Sequence, residues 1–208
     1  MRKVLAVVAV ALSVAVGARY VGRQRPHAHQ ELTTLRSRGI APCGRHCGTG
    51  RWLVKTLSDP ERNRVNLNPV TTTVAALAAL PAPASFPEAG RLAPVEVTTY
   101  EVEAILAGWH NAADGDIHLV LVDPADQRAT LIAEIPSTEC AGACASDLAG
   151  RYRQARLAFE QLLQRSTPAD KPLAVRVTGV GFFDRPHNQV GAAPNCIELH
   201  PVLALTSR

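Results

Sequence analysis

The chain has 208 residues, 47% hydrophobic and 19% charged, which suits one folded domain with an appendage and excludes disordered and fibrous classes. Only nine residues are aromatic, too few for a broad platform that stacks bases or sugars. The formal charge of +4 divides unevenly: residues 1–51 carry a net +8 and residues 52–208 a net −4, so the folded part is acidic and nucleic acid is not an expected partner.

Arg2 and Lys3 precede Val4–Ala18, a run without charge in which only Ser13 is polar. This is the charged start and apolar stretch of a secretory signal, so residues 1–18 are predicted to be a signal peptide or a membrane anchor. As a helix the run would reach roughly 22 Å, short of the ~30 Å hydrocarbon core, which favours cleavage over anchoring or burial as an apolar segment. Arg19, Arg23 and Arg25 follow at once, an unusual start for a cleaved product, which keeps the anchor open. The expected location is secreted, periplasmic or cell-envelope, with membrane contact only through this N-terminal segment. Residues 19–51 hold seven Arg and read as a basic linker, either a solvated tail or one adhering to anionic lipid or envelope polymer.

The five cysteines fit export. Cys43 and Cys47 form one x3-spaced pair, Cys140 and Cys144 another, and Cys196 stands alone. Spacing predicts two local bridges, Cys140 to Cys144 before a helix and Cys43 to Cys47 in the linker, with zinc held by both pairs as the alternative.

Residues 52–93 read as an extension that packs on the following domain, with a short helix over Val74–Leu80 ended by Pro81. From residue 94 the pattern turns to strands. Val95–Leu106 alternates Tyr100, Val102, Ala104 and Leu106 with Thr99, Glu101 and Glu103, and Ile117–Val122 and Thr130–Ile135 follow. Ser146–Gln164 repeats Leu148, Tyr152, Ala155 and Phe159 at helical steps, with Ser146 or Asp147 as cap. Leu173–Phe183 and Ile197–Leu205 supply two more strands. The expected fold over residues 94–206 is mainly β: an OB-fold-like five-stranded β-barrel with one helix between its third and fourth strands. A six-stranded α+β sheet is the competitor.

The stretches Val54-Lys55-Thr56, Val65-Asn66, Asp116-Ile117-His118-Leu119-Val120-Leu121, Ile132-Ala133-Glu134-Ile135-Pro136, Gly179-Val180-Gly181-Phe182-Phe183-Asp184 and Ile197-Glu198-Leu199-His200-Pro201-Val202 resemble those of a family of exported, uncharacterised bacterial proteins. The resemblance spans about Trp52 to Leu205 and implies an OB-like domain behind a signal peptide, with no known reaction. Asn188 and Cys196 stand where it implies glycine, so the turn between the last two strands is expected to be rearranged.

Strand parity puts His118, Glu134, Glu198 and His200 on the outward face of the second, third and fifth barrel strands. OB strand order makes the third strand the neighbour of the other two, and with strands about 4.8 Å apart His118, Glu134 and His200 could converge within roughly 10 Å. Two imidazoles and a carboxylate suit a zinc-like divalent ion, the one cofactor in view; solvated surface, or polar groups buried beneath the extension, is the plainer reading. A second set lies in loops: Asp116 with Asp114 in the first turn, Asp184 and His187 between the last two strands, where OB folds often meet ligands. Asp114-Gly115-Asp116 is also similar to the calcium-binding turn of staphylococcal-type thermonucleases, but the Arg that follows there is absent here, which argues against phosphodiester hydrolysis. The chain lacks a Gly-x-Ser-x-Gly elbow, a phosphate loop, a dinucleotide fingerprint and a His-Glu-x-x-His. No catalytic residue is assigned. The sequence predicts a binding or interaction module for an unidentified ligand or envelope component, with a metal-dependent hydrolase on the His/Glu face as the rival.

Overall fold

A computed structural model describes residues 43–166, 173–186 and 188–208 of the protein. Along the chain lie α1 (Trp52–Lys55), β1 (Asn66–Thr73), α2 (Val74–Ala78), β2 (Thr98–Asn111), β3 (Ile117–Val122), β4 (Thr130–Ile135), α3 (Ala149–Arg165), β5 (Leu173–Phe183) and β6 (Ile197–Ser207). The apolar parity of Val102, Ala104 and Leu106 lets β2 serve two neighbours. Its first half pairs antiparallel with β5 from Thr99 to Leu106, and its second half with β3 from Ile105 to Asn111, the register slipping at Leu106/Gly108 where the strand changes partner. β3 pairs antiparallel with β4, β4 runs parallel to β6, and β6 pairs antiparallel with β5. The circuit β2-β3-β4-β6-β5-β2 is closed, with α3 between the third and fourth of its strands: an OB-fold barrel rather than an open α+β sheet.

The barrel interior is filled from the apolar parity, including Val102, Leu119, Leu121, Leu131, Val177 and Leu199, all fully buried. Ala155, Phe159 and Leu162 of α3 and Val74 and Leu77 of α2 belong to the same core. On β5 the sheet needs glycine: a Cβ on Gly181 would lie 2.7 Å from the Val95 carbonyl oxygen and 2.8 Å from the Tyr100 ring.

Four sequence expectations change. β1 is an unforeseen strand: its residues are almost all exposed, so it carries no apolar period, and it exists through parallel backbone pairing with β2. The strand expected from Val95 begins at Thr98, after a 3-10 turn over Val95–Val97. α3 begins at Ala149 without a side-chain cap, because Ser146 is used elsewhere: its Oγ accepts from Leu148 N and lies 3.2 Å from the Tyr152 hydroxyl. Between β5 and β6 the turn keeps left-handed backbone at Asn188 (φ 56°) and Cys196 (φ 60°), the conformation glycine would favour.

The local disulfides are also corrected. Cys43 bonds Cys144 and Cys47 bonds Cys140, while Cys196 is free. Residues 43–47 lie alongside 139–144, with Arg45 N donating to Glu139 O (3.0 Å) and Ala141 N to Arg45 O (2.7 Å), so each cysteine faces the other segment rather than its sequence neighbour. The last part of the supposed linker, residues 43–51, is therefore fixed to the barrel; residues 1–42, with the predicted signal segment, lie outside the described residues. Two such bridges belong to an oxidising, extracellular-type environment. Among the described residues no helix is long and apolar enough to cross a membrane.

From Cys43 to Val65 the chain runs over the outside of the barrel. Leu57 and Val65 form a second apolar cluster there with Ala143, Tyr152, Val180 and Leu203. The buried Tyr152 hydroxyl donates to Thr56 O at 2.8 Å, tying α3 to this cover. Burial holds its phenol well above the ordinary tyrosine range, so it stays a donor. Tyr152→Phe is expected to cost about 1–2 kcal/mol in urea unfolding, since it strands the Thr56 carbonyl without filling the gap; no loss would mean water replaces the hydroxyl.

Candidate metal centre

The row expected across three strands forms. His118 on β3 stands directly opposite Glu134 on β4, and β4 runs beside β6 in the register Ala133 to Leu199, which brings His200 to the other side of Glu134. His118 Nδ1 lies 3.0 Å from Glu134 Oε1, and His200 Nδ1 lies 3.3 Å from Oε2 of the same carboxylate. Asp116, placed by sequence at a solvent rim, is instead a buried member: its Oδ2 is 3.4 Å from His200 Nε2, and its Oδ1 accepts from Ser137 N at 2.8 Å. The alternation is carboxylate, imidazole, carboxylate, imidazole.

The solvated-surface reading fails. Asp116 is 0% exposed, His118 and His200 1%, Glu134 5% and Glu198 3%. Outward parity is real, but this stretch of the barrel exterior is roofed by residues 43–59 and by the loop 137–148, joined where Trp52 Nε1 donates to Ala141 O at 2.6 Å. The β3–β4 face, which OB folds generally offer to ligands, is thus covered by the protein's own chain.

Glu198 and Asp184 stay apart from the row. Asp184 pairs with Lys55 Nζ at 2.8 Å, and with Glu198, Cys196 and Asn188 it lines a cavity of about 240 Å³. His187 lies outside the described residues. Lys55, Arg51, Phe182 and His110 were not foreseen in the site. Phe182 meets His200 edge-on with centroids 5.9 Å apart, and Arg51 and Lys55 lie over its ring at 4.4 and 5.2 Å. A mixed Arg/Lys/Trp segment has no period that says which surface it will cover.

Burial and neighbouring charge pull these groups in different directions. Burial alone would push the Glu134 carboxyl up, but His200, His118 and Lys55 outweigh it and hold the group well below the usual carboxylate range. Asp116 is raised, by burial first, with His200 pulling the other way. Glu198 is raised well above its ordinary value by burial and by the neighbouring Glu134 charge. Lys55 would be lowered by burial, yet Asp184, Glu134 and Glu198 together push it up: three carboxylates draw on one amine.

The imidazoles lack good hydrogen bonds. Both ring nitrogens of His118 and of His200, with Asp116 Oδ2 and Glu198 Oε2, are buried without a hydrogen-bond partner. Three of the nitrogens lie 3.0–3.4 Å from carboxylate oxygens but misaligned for N–H donation, and His118 Nε2 has no polar partner among the described residues, an uncommon state for buried polar atoms that calls for an explanation such as an ion. Asp116, Glu134 and His200 each offer a ligand atom, all within 4.8 Å of one another. Donors bound to one tetrahedral zinc-like ion at about 2.0–2.1 Å stand roughly 3.3 Å apart; Glu134 and Asp116 meet opposite nitrogens of His200, so the three donors would draw in from within 4.8 Å to hold one ion. One imidazole with two carboxylates, and a second imidazole alongside, suits a borderline divalent cation, and two positive charges would offset the carboxylate excess.

Comparison with protein-family models, curated proteins and solved structures finds no match to this chain.

Proposed function

We propose that the protein is an extracytoplasmic OB-fold module of the exported kind its motifs resemble, secreted or held in the cell envelope by residues 1–18, and that it binds one divalent, zinc-like cation at Asp116, Glu134 and His200 with His118 beside them. The observation that carries the reading is the set of buried, unpartnered imidazole nitrogens facing carboxylates. Asp116 would be presented by its bond from Ser137 N, Glu134 would bridge the two imidazoles, and the 43–59 cover would keep water out. When bound, the ion supplies a fixed double positive charge in a low-dielectric site. Hydrolysis would need a coordination position open to substrate, and the complete burial of Asp116 and His200 supports an enclosed, ion-holding centre instead.

Elemental analysis of the oxidised, purified chain is expected to find one equivalent of divalent metal, and EDTA to lower its melting temperature. At free ion 100-fold above Kd, binding would add about 2.7 kcal/mol of stability. His200→Ala and Glu134→Gln should lose the metal and the EDTA response together. Absence of metal after incubation with Zn²⁺, with melting unmoved by chelator, would overturn the proposal.

A further inference from the structure

Packed groups close two ends of the centre. At the Asp116 end stand Ser137 and the loop that carries the Cys47–Cys140 bridge. At His200 stands the Phe182 ring, with Arg51 and Lys55 above it, so a divalent cation approaching there would meet two positive charges. Arg51 is anchored by Glu96 and Lys55 by Asp184, so neither swings aside freely.

The His118 end differs. His110 on β2 is the cross-strand partner of His118, and their rings stack with centroids 4.4 Å apart and planes 26° from parallel. His118 is buried while His110 is exposed, and among the described residues the His110 side chain makes no hydrogen bond or ion pair. The His110 ring, without a polar tether, therefore covers a face of the buried His118 ring, whose Nε2 has no hydrogen-bond partner. An exposed side chain of this kind changes rotamer far faster than a packed cover opens.

We propose that His110 is the gate of the centre: its ring closes over His118, and its rotation opens the path by which a divalent cation enters and leaves. The inference rests on the reading of the cluster as a cation centre, and assigns His110 a positioning role rather than a ligand role.

The test uses the full oxidised chain loaded with Zn²⁺, with release to excess chelator and reloading followed by stopped flow. His110→Ala should speed release and loading alike, by about threefold to tenfold, the bias that one stacked ring pair gives to the closed state, with stoichiometry and Kd unchanged. His110→Phe, which keeps a ring without nitrogen, should retain the wild-type rates. Unchanged rates in His110→Ala at full stoichiometry would overturn the gate while leaving the centre intact. Slower loading in both variants would overturn it in favour of a capturing ligand, and a weaker Kd in both in favour of direct coordination. Failure of the wild type to take up Zn²⁺ would remove the centre and the gate together.

Discussion

Replacing all four bridging cysteines by serine is expected to lower the stability of the protein by about 7 kcal/mol. The size follows from the loops that are closed. The bridges join residues 93 and 101 positions apart and are concentric, so one closes a loop worth about 4.7 kcal/mol and the other, closing only the short ring between them, adds about 2–3 kcal/mol. Local pairs would have closed loops of a few residues and contributed about 2 kcal/mol at best. Urea unfolding of the four-serine variant at about 25 °C measures the loss, and a figure near about 4 kcal/mol, the sum for two short loops, would speak for local bridges. Peptide chemistry checks the pairing independently. Trypsin cuts after Arg38, Arg45, Arg51, Arg128 and Arg151, which separates Cys43 from Cys47 but keeps Cys140 and Cys144 on one peptide. Crosswise bridges require one species of three joined peptides, 39–45, 46–51 and 129–151; recovery of 129–151 alone with an internal bridge would rule them out.

Glu96→Ala is expected to cost about 3–5 kcal/mol, because it leaves the Arg51 guanidinium buried without its counter-charge. Glu96 is 0% exposed and accepts from Arg51 twice (2.7 and 2.8 Å), from Leu92 N (2.7 Å) and from Phe183 N (2.9 Å). The pair fastens the N-terminal cover to the end of β5, beside the Phe182 ring that backs His200. Replacing both partners with apolar residues of similar volume, Arg51→Met with Glu96→Leu, should recover part of the loss, since no uncompensated charge is then buried although Leu92 N and Phe183 N still lose their acceptor. Urea unfolding at low and high salt is the measurement. A cost below about 1 kcal/mol, falling further in salt, would mean that the pair behaves as an exposed one.

Local pattern sufficed for the barrel. Leu119 and Leu121 alternating with His118 and Val120, and Tyr152, Ala155 and Phe159 at helical steps, are periods of two and 3.6 that depend on neighbouring residues alone. Element order then selected the closed topology, because the helix falls between the third and fourth strands of the circuit. The row of His118, Glu134 and His200 was legible for the same reason, since parity sets the face and strand order sets the neighbours.

The sequence alone therefore decided the strands, the helix, the barrel and the set of residues on one outward face. Whether that face meets water was settled only in three dimensions, where Trp52 reaches Ala141, Arg51 reaches Glu96 and Cys47 reaches Cys140. The same folding turned Asp116 from a hairpin residue into a neighbour of His200 and made β1 a strand by pairing with β2. These contacts leave no period in the chain: each joins segments tens of residues apart, and its existence depends on the shape and charge of a surface formed only when the barrel has closed.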